Sequence, residues 1–256
     1  GIIYSMNIVA VRCLMETVSP QLGLEYAENF GITTLTSQDL GASQALGGLT
    51  HGTTNLELTA AYASIANEGI YTRPVFFTKI LDHDGKILIN NEPETHRVLK
   101  DSTAFLLTDA MAGSMETNRK FGSSINSTSA RANIPGMSNA GKSGTTSKNN
   151  DIWFVGYTPY YTAGIWAGCD SNQKLTAQNG GTSFHKNIWR NIMTRVHENL
   201  SDPGFTIPDS VETAQICRKS GKLAIPGVCT EDPRGNAVYT EYFAKGTVPS
   251  EMCNTH

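Results

Sequence analysis

Ala140-Gly141-Lys142-Ser143-Gly144-Thr145-Thr146, followed by Asp151-Ile152-Trp153-Phe154-Val155-Gly156-Tyr157-Thr158-Pro159, is the stretch that decides the fold. Asn139 to Thr145, Asp151 to Thr158 and Tyr161 to Cys169 are separated by polar or proline-containing turns, which predicts three consecutive antiparallel strands. The first strand also carries chemistry. Lys142 supplies an ammonium, Ser143 a hydroxyl, and Gly144 a position without Cβ, where a substrate backbone can approach. On an edge strand such a triplet suits an anion or an amide.

Helices surround these strands in sequence. Ile8, Val11, Leu14, Met15 and Val18 recur at helical spacing from Asn7 to Val18, which places Ser5 and Asn7 at a helix entrance. Ser19-Pro20 opens a second helix and Gly31 stops it. Thr54-Asn55-Leu56-Glu57 has the spacing of a capping box, and the helix behind it ends at Asn67-Glu68-Gly69. Arg73 to Leu81 and Lys86 to Ile89 predict a hairpin about Asp82-His83-Asp84-Gly85. Asp101 and Ser102 predict the cap of a helix running to about Met115. The polar stretch Glu116 to Ser138 reads as a mobile surface loop, and Phe184 to Val196 as a helix introduced by Gly180-Gly181-Thr182.

Beyond Asn199 the composition changes, with Pro203, Pro208, Pro226, Pro233 and Pro249 in one short tail. A boundary near Ser201 divides a main domain, 1–200, from a C-terminal extension, 201–256. The tail also holds Cys217, Cys229 and Cys253. This trio reads either as a disulfide with one thiol over or as free buried thiols. Zinc calls for tighter paired spacing and nearby histidines, whereas His51, His83, His96, His185, His197 and His256 are scattered, so no metal is expected.

With 256 residues, 39% of them hydrophobic, the chain can bury a large core. Its net charge of -3 gives no electrostatic reason for a nucleic-acid partner. No apolar run of membrane-spanning length occurs. Any membrane anchor is expected on a segment N-terminal to these residues.

Ser5-Met6-Asn7 and Lys142-Ser143-Gly144 are the candidate catalytic triplets, but short triplets recur. Ser124-Ile125-Asn126 and Ser147-Lys148-Asn149 repeat the first pattern, and Lys219-Ser220-Gly221 the second. Context separates them: Ser5 leads into an apolar-periodic helix and Lys142 lies in a strand, while the others fall in polar loops or the tail.

In these blocks the chain resembles the class A penicillin-binding proteins. Ala140 to Thr146 with Asp151 to Pro159 resembles their third active-site motif and the strand after it. Ser5-Met6-Asn7-Ile8-Val9-Ala10-Val11-Arg12 is similar to their second motif and its helix. Leu58 to Ala63 with Ala66 to Gly69, the Gly180-Gly181-Thr182-Ser183 block, and the tail elements Cys217 to Ala224 and Glu241 to Gly246 extend the likeness along the chain in the family's order. Ser143 stands where the family usually has Thr, which keeps the hydroxyl. The resemblance implies an α+β fold: an antiparallel sheet with helices on one face, a helical subdomain, and the short Pro- and Cys-containing extension.

It also implies a peptidoglycan D,D-transpeptidase that uses no cofactor, binds stem peptides and β-lactams, and works on the extracytoplasmic face of the cell membrane. Ser5, Asn7 and Lys142 would be catalytic, and Ser143, Gly144, Thr145 and Thr146 would bind substrate. The family's nucleophile lies in a Ser-x-x-Lys that precedes the second motif. Ser171-Asn172-Gln173-Lys174 and Ser183-Phe184-His185-Lys186 match that pattern but follow the third motif, and Ser183 is better placed as a helix cap. The nucleophile is therefore expected on an upstream segment, leaving this chain inactive alone. A D,D-carboxypeptidase or β-lactamase-type hydrolase, and a non-catalytic sensor of β-lactams or wall peptide, are the competing readings.

Overall fold

Strand β5 (Ala140–Thr145), β6 (Asp151–Tyr157) and β7 (Thr162–Gly168) form an antiparallel sheet in the order β5-β6-β7. They keep the predicted order and differ from the predicted bounds only at the ends. The computed structural model describes residues 1–116, 127–177 and 181–256. Lys142 pairs with Val155, Ser143 with Phe154, Gly144 with Trp153 and Thr145 with Ile152. Because cross-strand partners share a face, Lys142 and Gly144 point one way and Ser143 and Thr145 the other.

Helices cover both faces of this sheet, not the single face the resemblance implied. On the Phe154 side lies α5 (Phe184–Val196), whose Trp189 is fully buried and meets Phe154 edge-on at 5.1 Å. Trp189 Nε1 donates to the carbonyl of Ala163 in β7 at 2.9 Å. On the Lys142 side lie α3 (Asn55–Ala66) and α4 (Asp101–Ala112). There Thr108 of α4 shares a buried hydrogen bond with the Tyr157 hydroxyl at 2.7 Å, and Asn55 donates to the carbonyl of Gly164. A Cβ at Gly164 would overlap Thr59 and Asn55, so this glycine lets α3 sit on β7.

The capping box forms as predicted: Thr54 Oγ1 accepts from Glu57 N–H at 3.1 Å, and Glu57 accepts from Thr54 N–H at 3.2 Å. Ser19 caps α2 (Pro20–Asn29), accepting from Leu22 N–H, and Gly31 follows with φ 84°. Other expectations are corrected. The helix from Asn7 divides into α1 (Asn7–Arg12) and a π-helical stretch, Cys13–Val18. Of its apolar residues only Leu14 is buried; Ile8 is 76% exposed and Met15 49%. The hairpin is shorter, β2 (Lys79–Leu81) against β3 (Ile87–Asn90), because Pro74 interrupts the run after Arg73. Before it, β1 (Ile70–Thr72) pairs with β4 (Thr95–Arg97).

Lys100, not Asp101, occupies the N-cap of α4; Asp101 accepts instead from the Ser102 N–H and the Ser210 hydroxyl, tying the helix to the tail. The polar stretch after Glu116 is not a loose loop where it is described. Ala132, Ile134 and Met137 are buried beside Phe154 and Trp189. Its residues 117–126, including Ser124-Ile125-Asn126, and Gly180 of the Gly-Gly-Thr block lie outside the described residues.

In the tail β8 (Val211–Cys217) pairs with β9 (Val238–Ala244). All five cysteines are free, so the tail trio is one of buried thiols and not a disulfide. Among the described residues no helix is long and apolar enough to cross a membrane.

Candidate active site

Ser5 and Lys142 meet. Lys142 Nζ donates to Ser5 Oγ at 2.9 Å and to its neighbour's carbonyl, Ser143 O, at 2.7 Å. Burial, with Lys186 as a nearby like charge, pulls the Lys142 ammonium down to about 8. Lys186 is itself lowered by burial and by Arg131, and is held by the carbonyl of Thr128 at 2.8 Å.

Ser5 stands in the left-handed region, φ 52°, which costs a non-glycine residue about 1–3 kcal/mol and recurs at functional sites. The turn is fixed by Ser5 N–H to Ile2 O at 3.1 Å and Met6 N–H to Gly1 O at 3.0 Å. Ile3 packs at the end of α4, where a Cβ on Gly113 would touch it, and the Thr128 N–H donates to the Ile3 carbonyl. Tertiary contacts thus aim the serine at the strand. Asn7 follows as the first residue of α1 and is exposed.

The strand offers an open edge. Among the described residues β5 has β6 on one side and no strand on the other. Thr146 N–H donates to Asp151 O, so the even-numbered residues bond to β6 and the backbone groups of Ser143 and Thr145 face outward. Two of the outward carbonyls are already engaged, Gly141 O by the Ser114 hydroxyl and Ser143 O by Lys142. A Cβ at Gly144 would make only an ordinary contact with Trp153, so the glycine answers no crowding within the sheet. Thr145 is exposed at the end of the strand.

Thr146 is differently employed. Its hydroxyl accepts from the N–H groups of Asn150 and Asp151, both at 3.0 Å, and so shapes the β5–β6 turn. Ser183 occupies the N-cap of α5, but its side chain makes no cap bond. In the sequence Lys186 stands out only as the lysine of the rejected Ser183-Phe184-His185-Lys186 match, and His185 only as one of the scattered histidines. His185 is fully buried, and burial first and then Lys186 lower it to about 4, against the backbone of Trp153, which raises it.

Residues 1–194 match the family described as the penicillin binding protein transpeptidase domain, and residues 207–256 match the penicillin-binding protein 1A C-terminal domain. Penicillin-binding protein 1A of Clostridium botulinum (strain Langeland) is 36% identical over 98% of this chain, which spans 29% of that protein. Penicillin-binding protein 1A/1B of Bacillus subtilis is 29% identical over 98% of this chain and 28% of its own length. The chain thus spans under a third of each relative. Among solved structures, penicillin-binding protein 1A from Haemophilus influenzae superposes with a TM-score of 0.81 at 22% identity, over 99% of this chain and 40% of that one. The PonA1 protein from Mycobacterium tuberculosis, in complex with penicillin V, gives 0.63 at 24% identity over 77% of this chain and 55% of that one.

Proposed function

The chain belongs to the penicillin-binding protein transpeptidase family, and from that premise we propose that it forms the downstream part of a peptidoglycan D,D-transpeptidase, acylated by β-lactams. The observation that carries the reading is the bond from Lys142 Nζ to Ser5 Oγ beside an open strand edge.

The acylated serine and its activating lysine belong to a Ser-x-x-Lys outside these 256 residues. That serine attacks the D-alanyl-D-alanine carbonyl of a stem peptide, and the collapsing intermediate expels D-alanine. Ser5 passes a proton to the leaving amine, and Lys142 supplies the positive field that keeps the Ser5 hydroxyl oriented. Asn7 reads an amide of the peptide, and the Ser143 and Thr145 hydroxyls take the terminal carboxylate. The substrate backbone lies along β5 over Gly144, where the Thr145 N–H contributes to the oxyanion hole. A second stem's amine then attacks the ester and frees the serine. Thr146 contributes through the turn that ends this strand.

The exposed apolar residues of the N-terminal segment, Ile2, Met6, Ile8, Val9 and Met15, are the surface against which the segment with the nucleophile packs. Without it the chain is inactive. Location on the extracytoplasmic face of the membrane, through an anchor on a preceding segment, follows from the substrate. The match of the tail to the penicillin-binding protein 1A C-terminal domain favours a transpeptidase over a hydrolase. Labelling of the full-length protein with a fluorescent penicillin tests the reading: labelling is expected, and markedly slower labelling in Lys142→Ala and Ser5→Ala. Slow or absent labelling of the parent, or rapid turnover of a chromogenic cephalosporin, contradicts it.

A further inference from the structure

Four side chains of the tail converge at one point: the sulfurs of Cys217, Cys229 and Cys253 and a ring nitrogen of His256 all lie within 4.8 Å of one another. A tetrahedral zinc site with Zn–S of about 2.3 Å and Zn–N of about 2.0 Å holds its ligand atoms roughly 3.5–4 Å apart, so the four need only small adjustments. The ligands arrive from separate places: Cys217 ends β8, Cys229 lies in the Pro226-Gly227 turn region, and Cys253 and His256 follow near residue 256. Cys217 and Cys229 are fully buried and Cys253 is 6% exposed; the His256 side chain is 7% exposed.

The surroundings are those of a ligand set. His256 Nε2 faces Cys217 Sγ at 3.0 Å, while its Nδ1 meets Asp232 Oδ2 at 2.6 Å. An Nδ1–H given to that carboxylate leaves the Nε2 lone pair pointing at the sulfurs, the tautomer and second-layer carboxylate by which metal-binding histidines are oriented. The Asp232 side chain, 1% exposed, is held in turn by Arg234, whose backbone N–H, Nε and Nη2 all donate to it. The Ile225 N–H points to Cys229 Sγ at 3.2 Å, a donor suited to a thiolate.

We propose that Cys217, Cys229, Cys253 and His256 bind one structural zinc ion, with Asp232 and Arg234 as the supporting layer. Binding releases the three thiol protons to solvent and changes no oxidation state; three thiolates and a neutral imidazole around Zn²⁺ leave one net negative charge. With four protein ligands the site is closed, so the metal staples loops and does not catalyse. A unit as short as residues 207–256 buries little core of its own, which is where such a staple adds most. Lys219-Ser220-Gly221, a stray match to the catalytic triplet, forms the turn after Cys217, where the Gly221 N–H donates to the Cys217 carbonyl at 2.8 Å.

The test is the metal content of the full-length protein, purified without a metal-affinity tag or chelator under reducing conditions. The expected result is one zinc per chain, and cobalt substitution that yields thiolate-to-metal charge-transfer bands of tetrahedral type. Cys229→Ser and His256→Ala should each remove the metal, while Cys13→Ser and Cys169→Ser keep it. Asp232→Asn retains all four ligands and should weaken zinc binding about 10- to 100-fold, a readout that survives if the cysteine variants do not fold. Metal-free protein that cobalt does not occupy, with its thiols free or with two joined in a disulfide, overturns the proposal, as does stoichiometric iron or copper. None of these readouts depends on β-lactam acylation.

Discussion

Lys142 Nζ and Ser5 Oγ lie 2.9 Å apart although 137 positions separate them in sequence. The strand presents the ammonium on the face shared with α3 and α4, and the turn at residues 1–6 brings the hydroxyl over it. If this contact is the proton relay of the proposed reaction, removing either partner acts on chemistry more than on folding. Ser5→Ala and Lys142→Ala should each slow acylation of the full-length protein by about 10²- to 10⁴-fold. Stopped-flow or gel-based penicillin labelling checks this, with thermal melts to establish that both variants fold.

Lys142 also sets a pH limit. Burial and Lys186 bring it to about 8, well under the ordinary lysine value. The protonated form serves the proposed mechanism, so acylation should fall as pH rises through about 8. For stability the sign is opposite: the folded state binds this proton less well than the unfolded chain, so stability from this group increases between pH 8 and the ordinary lysine range. Lys186→Gln removes the like charge and should shift the falling limb of the pH–rate profile upward. An unmoved limb in Lys186→Gln would assign the titration to another group.

At Ser143 the hydroxyl, not the residue type, should matter. Ser143→Thr restores the family's usual residue and should leave the acylation rate unchanged. Ser143→Ala removes the donor proposed for the substrate carboxylate and should cost about 10- to 100-fold in kcat/KM, the range of a hydrogen bond to a charged group.

Gly156 tests the packing that backs the site. A Cβ there would stand 2.9 Å from both the Ala140 carbonyl oxygen and Trp189 Cζ2. Backbone cannot yield cheaply, so Gly156→Ala should destabilise the protein by about 1–3 kcal/mol, seen as a lower Tm.

Much of this architecture was legible in the residues, for local reasons. The three strands are set off by turns, and the α3 capping box is a four-residue signal whose two bonds form, whereas α5, read from Phe184, Ile188, Ile192 and Val196 as its apolar side, instead buries His185, Trp189 and Met193 and leaves Ile188, Ile192 and Val196 exposed. Ser5 and Lys142 were distinguishable from look-alike triplets because a strand and a helix entrance are local features. What was not legible depends on contacts between distant segments. The residues after Glu116 are polar, yet Ala132, Ile134 and Met137 turn inward because Trp189 and Phe154 offer them a core. Asp101 looked like a cap because its acceptor role toward Ser210 in the tail leaves no local trace. The cysteine trio gave no metal spacing because its members come from different loops. The short interval from Cys253 to His256 is the one local sign, and His256 otherwise stands among scattered histidines.

In the proposed reaction this chain builds a β-lactam-reactive site around Ser5 and Lys142 without itself carrying the acylated serine. Peptide mapping by mass spectrometry of the penicillin-treated full-length protein addresses it most directly. One penicilloyl adduct is expected, on the serine of a Ser-x-x-Lys outside residues 1–256. An adduct on Ser5, Ser143, Ser183 or any other serine of this chain would contradict it.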